Sequence, residues 1–242
     1  MDRLPIVVNL LKAEDALRWD EFVRRCPQAT FFHLSAWREL MEEVFDHRTF
    51  YLYAERAGDI VGVLPLAEVR SRLFGHALVS LPFCVYGGIA AAEDAGPETL
   101  YALESKAETL AQALGVQHLE FRNLKPRHED WPRQELYVTF RKEILPEVEA
   151  NLLAIPRKQR AMVRKGIKNG LVSEIDTNVD RFFALYADNV HRHGTPAMWT
   201  RVSSASSRST PTTCFVTARR RCRGSSSSSS RSASVRPAKC SR

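Results

Sequence analysis

The chain has 242 residues, with 35 Lys and Arg against 28 Asp and Glu and a formal net charge of +7. The last 41 residues, 202–242, hold nine of those cations and none of the acids, so residues 1–201 carry a net charge of −2 and the basic balance argues no polyanion partner for them. No stretch approaches the roughly 20 continuous apolar residues that cross a bilayer, and the five cysteines lack the spacing or neighbouring His of a metal site, which argues against zinc and against a disulfide framework.

The start, Met1-Asp2-Arg3-Leu4-Pro5, has no basic stretch followed by an apolar one, so a cytoplasmic location is expected. Ile6 to Leu11 reads as a strand, and Glu14 to Cys26 as a helix with Ala16, Trp19 and Val23 on one face. Ser35 is placed to cap a second helix that buries Trp37, Leu40, Met41 and Val44. Thr49 to Arg56 and Ile60 to Arg70 are rich in β-formers, and Gly58-Asp59 between them predicts a two-residue hairpin turn. An apolar run to Phe83 leads to Tyr86-Gly87-Gly88, then to a helix opened by Pro97, carrying Leu100, Leu103, Ala107, Leu110 and Leu114, and closed by Gly115. His118 to Asn123 and Leu136 to Glu143 read as strands about a polar loop from Lys125 to Pro132. A helix through Val148, Leu152 and Ile155 meets Pro156 and resumes as a basic helix ending at Asn169-Gly170. A strand over Leu171 to Asp176 follows, then a helix capped by Thr177 or Asn178 with Val179, Phe182, Phe183, Tyr186 and Val190 on one face. Cys26 and Cys84, set among apolar residues, are expected to be buried thiols, while Cys214, Cys222 and Cys240 fall in the tail.

Three segments could carry chemistry. Between Arg157 and Lys168 six cations occur in twelve residues, and at about 100° per residue Arg157, Arg160, Arg164 and Lys168 form a stripe flanked by Lys158 and Lys165. Guanidinium forks suit phosphate oxygens, and no acid interrupts the segment to suggest a merely solvated face. Tyr86-Gly87-Gly88 ends an apolar run where glycines either admit a ligand to the backbone or make a tight turn. His191 and His193 flank Arg192 before Gly194, with no carboxylate or Cys nearby in sequence to make a metal set. Nucleophile elbows, Walker loops and dinucleotide fingerprints are absent from the sequence.

Together, Gly58 to Leu66, Leu81-Pro82-Phe83 with Tyr86-Gly87-Gly88, Ile155 to Leu171 and His191 to Pro196 resemble the FemAB-like branch of the GNAT acyltransferase superfamily. Within it they look like the FemAB-family proteins associated with the PEP-CTERM and exosortase systems of exopolysaccharide-producing Gram-negative bacteria. The resemblance covers residues 5–198. It implies an α/β fold of the α+β kind: a GNAT-like mixed sheet with flanking helices, complete over a first domain at 1–145. The start of a second GNAT-like domain, with the basic helix, would occupy 146–198, and a disordered or frameshifted Ser/Arg-rich tail 199–242. The implied activity is acyl or aminoacyl transfer to an amine in cell-envelope, peptidoglycan or exopolysaccharide biosynthesis. Acyl-CoA or aminoacyl-tRNA would be the donor substrate and an envelope or polysaccharide precursor the acceptor, with no tightly bound cofactor. No Q/R-x-x-G-x-G/A loop leading into a helix, of the kind that grips acyl-CoA in other members, is visible in the sequence, which counts against a simple acetyl-CoA enzyme. Carried over, Arg157, Lys158, Arg160, Arg164 and Lys165 become phosphate contacts, and Tyr86, Gly87, Gly88, His191 and His193 a candidate cleft. No residue is assigned as the catalytic base.

The departure from the family pattern begins near residue 199. Residues 202–242 contain 14 Ser and no Leu, Ile, Asp or Glu. A frameshifted translation of a GC-rich gene accounts for this, since Val codons such as GTC become TCG, for Ser, when read one base out. A Ser/Arg-rich disordered tail that binds anionic polymers is the alternative. On the frameshift reading the chain is truncated and inactive; on the other, the basic helix and tail make a nucleic-acid or polyanion binder. A noncatalytic assembly scaffold is a third reading.

Overall fold

In the computed structural model, residues 5–71, 75–134, 139–176, 179–194 and 215–220 are described. The chain divides into two compact units, 1–138 with 178–213 and 139–177 with 214–242.

The first unit is built on a six-stranded mixed sheet. Strands β1 (Val7–Leu10), β2 (Thr49–Arg56), β3 (Asp59–Ser71) and β4 (Gly75–Ser80) run antiparallel in that order, β6 (His118–Glu120) pairs parallel with β4, and β5 (Ala90–Ala91) pairs with β3. Alternation along the strands sends side chains to two cores. Tyr51, Tyr53 and Val63 pack with Trp19, Phe22 and Val23 of α1 (Ala16–Arg25), while Leu52, Ala54, Leu64 and Leu66 pack with Leu103, Ala107 and Ala111 of α3 (Pro97–Leu114). Helix α2 (Ala36–Glu43) contributes Leu40 and Met41 to a smaller cluster with Trp37, Val44 and Phe45. Pro65 is fully buried in β3 between Val63, which pairs with Ala90 of β5, and Leu66, which pairs with Ser80 of β4. A residue without an N–H is thus placed where the outer partner changes.

Several sequence expectations shift in detail. The hairpin turn is Ala57-Gly58, both with positive φ (54° and 89°), and Asp59 already pairs with Arg56; a primed turn needs two such residues, and Gly58 supplies the second without strain. Ser35 occupies the cap position of α2 but makes no side-chain cap bond; its N–H instead donates to Asp20 Oδ1 at 2.8 Å. The strand predicted to reach Asn123 stops at Glu120, because Arg122 and Asn123 turn to bind the chain that follows β4. Residues 139–143 form no strand, and the rest of the strand predicted from Leu136 lies outside the described residues.

Buried Glu104 of α3 holds the polar loop before Pro132: Arg127 Nε donates to it at 2.5 Å and His128 Nε2 lies 3.2 Å from its other oxygen. Trp131 stacks on His128, with ring centroids 4.4 Å apart. Helix α6 (Val179–Arg192) keeps Phe182, Phe183, Tyr186 and Val190 half-buried, the face predicted by their spacing, whereas its predicted caps lie outside the described residues.

In the second unit α4 (Val148–Leu153) stops before Pro156 and α5 (Arg157–Lys168) begins immediately after it. Gly170, with φ of 74°, takes the left-handed turn after α5, and Asn169 does not. Strand β7 (Leu171–Asp176) pairs antiparallel with β8 (Phe215–Arg220). The pairing assigns regular structure to six residues of a tail expected to have none; Phe215, Val216 and Thr217 are β-formers.

Candidate functional site

β4 and β6 are the parallel pair of the sheet, and the carboxyl ends of parallel strands are where α/β sheets usually receive ligands. Here the chain after Ser80 occupies that end. Leu81 and Phe83 hold positive φ values of 49° and 67°, a conformation that costs a bulky residue roughly 1–3 kcal/mol. The strain is held by Arg122, whose guanidinium donates to Cys84 O at 2.8 Å, to Leu81 O at 3.4 Å and to Glu120 Oε1 at 2.8 Å. Its backbone joins in: the Arg122 N–H donates to Ser80 Oγ at 2.7 Å, and the Gly87 and Gly88 N–H groups donate to its carbonyl at 3.3 and 3.0 Å.

Gly87 and Gly88 are buried, and a Cβ on either would collide, at Gly87 with Leu81 and at Gly88 with Asn123. Their smallness serves close packing of the loop against the end of β6. Tyr86 beside them is half-buried. On the far side His33, 2% exposed, fixes the same loop. The Thr30 N–H donates to His33 Nδ1 at 3.1 Å, so the ring proton is on Nε2, which donates to Gly88 O at 2.9 Å.

Burial lowers the His33 pKa from its ordinary 6.5, outweighing its two backbone hydrogen bonds. The unfolded chain therefore binds the proton more readily, so the stability contributed by neutral His33 is full above 6.5 and is lost as pH falls from there towards the lower folded value. The urea midpoint should drop between neutral and mildly acid pH. In His33→Gln, which keeps a donor and an acceptor but does not titrate, the drop should be smaller.

Cys84, in the same loop, is no nucleophile at neutral pH, because burial pushes its thiol up to about 12 despite Arg122. Cys26 is also a buried free thiol, donating to Ala91 O at 3.3 Å. Among the described residues no group of three or more His, Cys, Asp or Glu is placed to hold a metal ion.

The strained loop delivers one exposed side chain, Phe83, onto the segment after α2. Its ring stacks on Phe45 at 4.4 Å and on His47 at 5.8 Å. Beside the stack lies a cavity of ≈390 Å³ lined by Glu42, Asp46, His47, Arg48, Thr49 and Phe50. Sequence reading singled out Phe83 only as part of its loop and missed His33, His47, Arg122 and Asn123. Those four come from three separate segments, and none belongs to a local motif.

The five predicted phosphate contacts lie together on α5, with Lys168 of the same basic stripe. Arg157, Lys158, Arg164, Lys165 and Lys168 are exposed, Arg160 is half-buried, and none of the six makes an ion pair among the described residues. The opposite side of the helix packs on β7, where a Cβ at Gly166 would meet Leu171 Cδ1 at 3.2 Å. His191 and His193 are exposed at the end of α6, where the Gly194 N–H donates to His191 O at 3.0 Å.

No family model and no curated protein sequence matches the chain. Among solved structures FemX is similar, with a TM-score of 0.55 and 16% identity over 82% of this chain and 54% of FemX. The chain thus spans about half the length of that protein. A GNAT family acetyltransferase from Staphylococcus aureus matches 58% of this chain and 100% of its own at 10% identity and a TM-score of 0.39. A ribosomal-protein-alanine N-acetyltransferase from Brucella melitensis matches 58% of this chain and 99% of its own at 14% identity and 0.39. The mixed sheet, its parallel β4–β6 pair and its flanking helices make this a GNAT-like α/β fold.

Proposed function

We propose that the chain is a FemAB-like N-acyltransferase, moving an acyl or aminoacyl group from a thioester or aminoacyl-ester donor to an amine of a cell-envelope, peptidoglycan or exopolysaccharide precursor. The observation that carries this reading is α5, which presents six cations on one arc with no acid among the described residues to neutralise them. Such an arc suits the diphosphate that links envelope precursors to their carriers, and the likeness of the fold to FemX supports a transferase reading. Donors of this kind are already activated, so the protein's work is to orient the amine and stabilise the tetrahedral intermediate. The proposal includes the PEP-CTERM setting.

Calorimetry with a uridine-diphosphate-linked cell-wall precursor tests it. The triple change Arg157→Glu, Arg160→Glu and Arg164→Glu should weaken binding about tenfold or more, or roughly 1.4 kcal/mol. Unchanged affinity would remove α5 from the site. Single-stranded RNA bound more tightly than the precursor, and lost on deletion of 202–242, would favour the polyanion reading that the same exposed arc allows. A mass gain on the acceptor in the presence of a thioester or aminoacyl-ester donor is the expected sign of transfer, and precursor binding without any gain would remove the transferase activity.

A further inference from the structure

The second unit has a surface that the acyltransferase reading leaves partly unused. Neither α4 nor α5 buries a single residue, and nine of the eighteen exposed large hydrophobic side chains among the described residues fall between Phe140 and Leu171. Such side chains scattered singly need no explanation, whereas a gathering of them marks a surface that is covered in use.

On α5 the exposed apolar side chains are interleaved with cations. Val163 and Ile167 are four residues apart, as are Arg160 and Arg164, and the two pairs are offset by three, so they form adjacent rows on the helix. On the other flank Met162 sits four residues after Lys158 and three before Lys165. Met162 is 64% exposed and Ile167 66%. The side of α5 at Gly166 rests on Leu171 of β7, so these rows are what the helix leaves uncovered.

The pattern limits what can cover the face. It must bring negative charge to six cations that have no acidic partner among the described residues, and an apolar phase to the side chains beside them. A nucleic acid answers the charge and leaves the apolar row in water. A single soluble diphosphate answers some of the guanidinium groups and again leaves Val163, Ile167 and Met162 uncovered. An anionic lipid surface answers both, because its phosphates lie directly above the acyl chains. The exposed apolar residues that precede α5 favour it further. Phe140 and Ile144 stand on irregular chain and Val148 and Leu153 on a short helix, not along one stripe, and a fluid surface accepts scattered insertions without a matching groove.

We propose that α5 docks on an anionic lipid bilayer, with Val163 and Ile167 entering the boundary between headgroups and acyl chains and Arg160, Arg164 and Lys168 on the headgroup phosphates. The docking is peripheral: among the described residues no helix is long and apolar enough to cross a membrane. It does not rest on the acyltransferase reading.

Co-sedimentation of the full chain with vesicles of mixed phosphatidylglycerol and phosphatidylcholine tests it, with pure phosphatidylcholine vesicles as the neutral control. Binding about tenfold or more tighter to the anionic vesicles, and weakened by added salt, is expected. The double change Val163→Gln and Ile167→Gln keeps every cation, and Gln forms helix better than either residue it replaces. It should weaken vesicle binding about tenfold or more with the circular dichroism unchanged. Val163→Leu with Ile167→Leu, which stays apolar, should bind as the unaltered chain does. Undiminished binding in the Gln variant would assign the affinity to charge alone, on α5 or among the nine cations of 202–242, and overturn the proposal. Absence of binding to the anionic vesicles would overturn it as well and give the face to an acidic protein partner.

The uridine-diphosphate-linked precursor, titrated into the same proteins, keeps the two readings apart. The Gln variant should retain its precursor affinity while losing the vesicles. In the unaltered chain, precursor affinity without vesicle binding removes the lipid surface alone, and vesicle binding without precursor affinity removes only the diphosphate contact on α5.

Discussion

Trp19→Ala is expected to unfold the first unit at moderate urea or heat. Trp19 is fully buried, its ring lies 5.3 Å from that of Tyr51, and its Nε1–H donates to His33 O at 2.7 Å. Truncating a buried Trp to Ala costs about 3–5 kcal/mol, and leaving the His33 carbonyl unpaired adds about 1–3 kcal/mol. Against a typical domain stability of about 5–15 kcal/mol that is most of what is available. Circular dichroism through a urea series should show the midpoint collapse. Trp19→Phe, which keeps a ring but loses the donor, should retain a cooperative transition, and equal midpoints for the two variants would show that the hydrogen bond, not the packing, is decisive.

The second large effect is expected from one methyl group. In Gly88→Ala the new Cβ would stand 2.0 Å from Asn123 Oδ1 and 2.8 Å from Asn123 Cα. A side chain could rotate away, but the Cα is backbone at the end of β6, so the loop itself must lift. Lifting it breaks the bond of Gly88 N–H to Arg122 O at 3.0 Å, that of His33 to Gly88 O at 2.9 Å, and that of Ile89 N–H to Asn123 at 3.3 Å. Overpacking of about 1–3 kcal/mol and about 1 kcal/mol for each lost bond make this a change of several kcal/mol. Thermal unfolding checks it, and Asn123→Ala in the same chain should restore only part of the loss, because the backbone clash remains. Full recovery would mean that the Asn123 side chain was the whole obstacle.

The two substitutions mark where sequence reading succeeds and where it stops. Trp19 was legible as core because it recurs at helical spacing with Val23, and the face of α3 was legible for the same reason. The hairpin was legible too, although its turn moved by one residue, because a positive φ at Ala57 has no sequence signature beside a neighbouring glycine. Gly88 was legible only as a glycine of unassigned purpose. What it packs against, Asn123, belongs to a segment read as a continuing strand, and the clamp by Arg122 joins residues that no local pattern relates. The basic helix was visible as a run of charge without acids in it, and among the described residues no distant acid pairs with it either. The aromatic stack at His47 was not visible, since it needs Phe83 from beyond three further strands.

The clamp also says something about the order in which this unit assembles. Strands β2, β3 and β4 meet through hairpin connections, whereas β6 reaches β4 only after the whole of α3 has been traversed. Contacts close in the chain form ahead of those that close long loops. Arg122 therefore arrives after the hairpins, and until it does Leu81 and Phe83 are free to relax into ordinary extended backbone. The aromatic stack of Phe83 on Phe45 and His47 is thus completed only after the hairpins have formed, and a partial opening that peels β6 from the sheet would dissolve it while the hairpins stay paired.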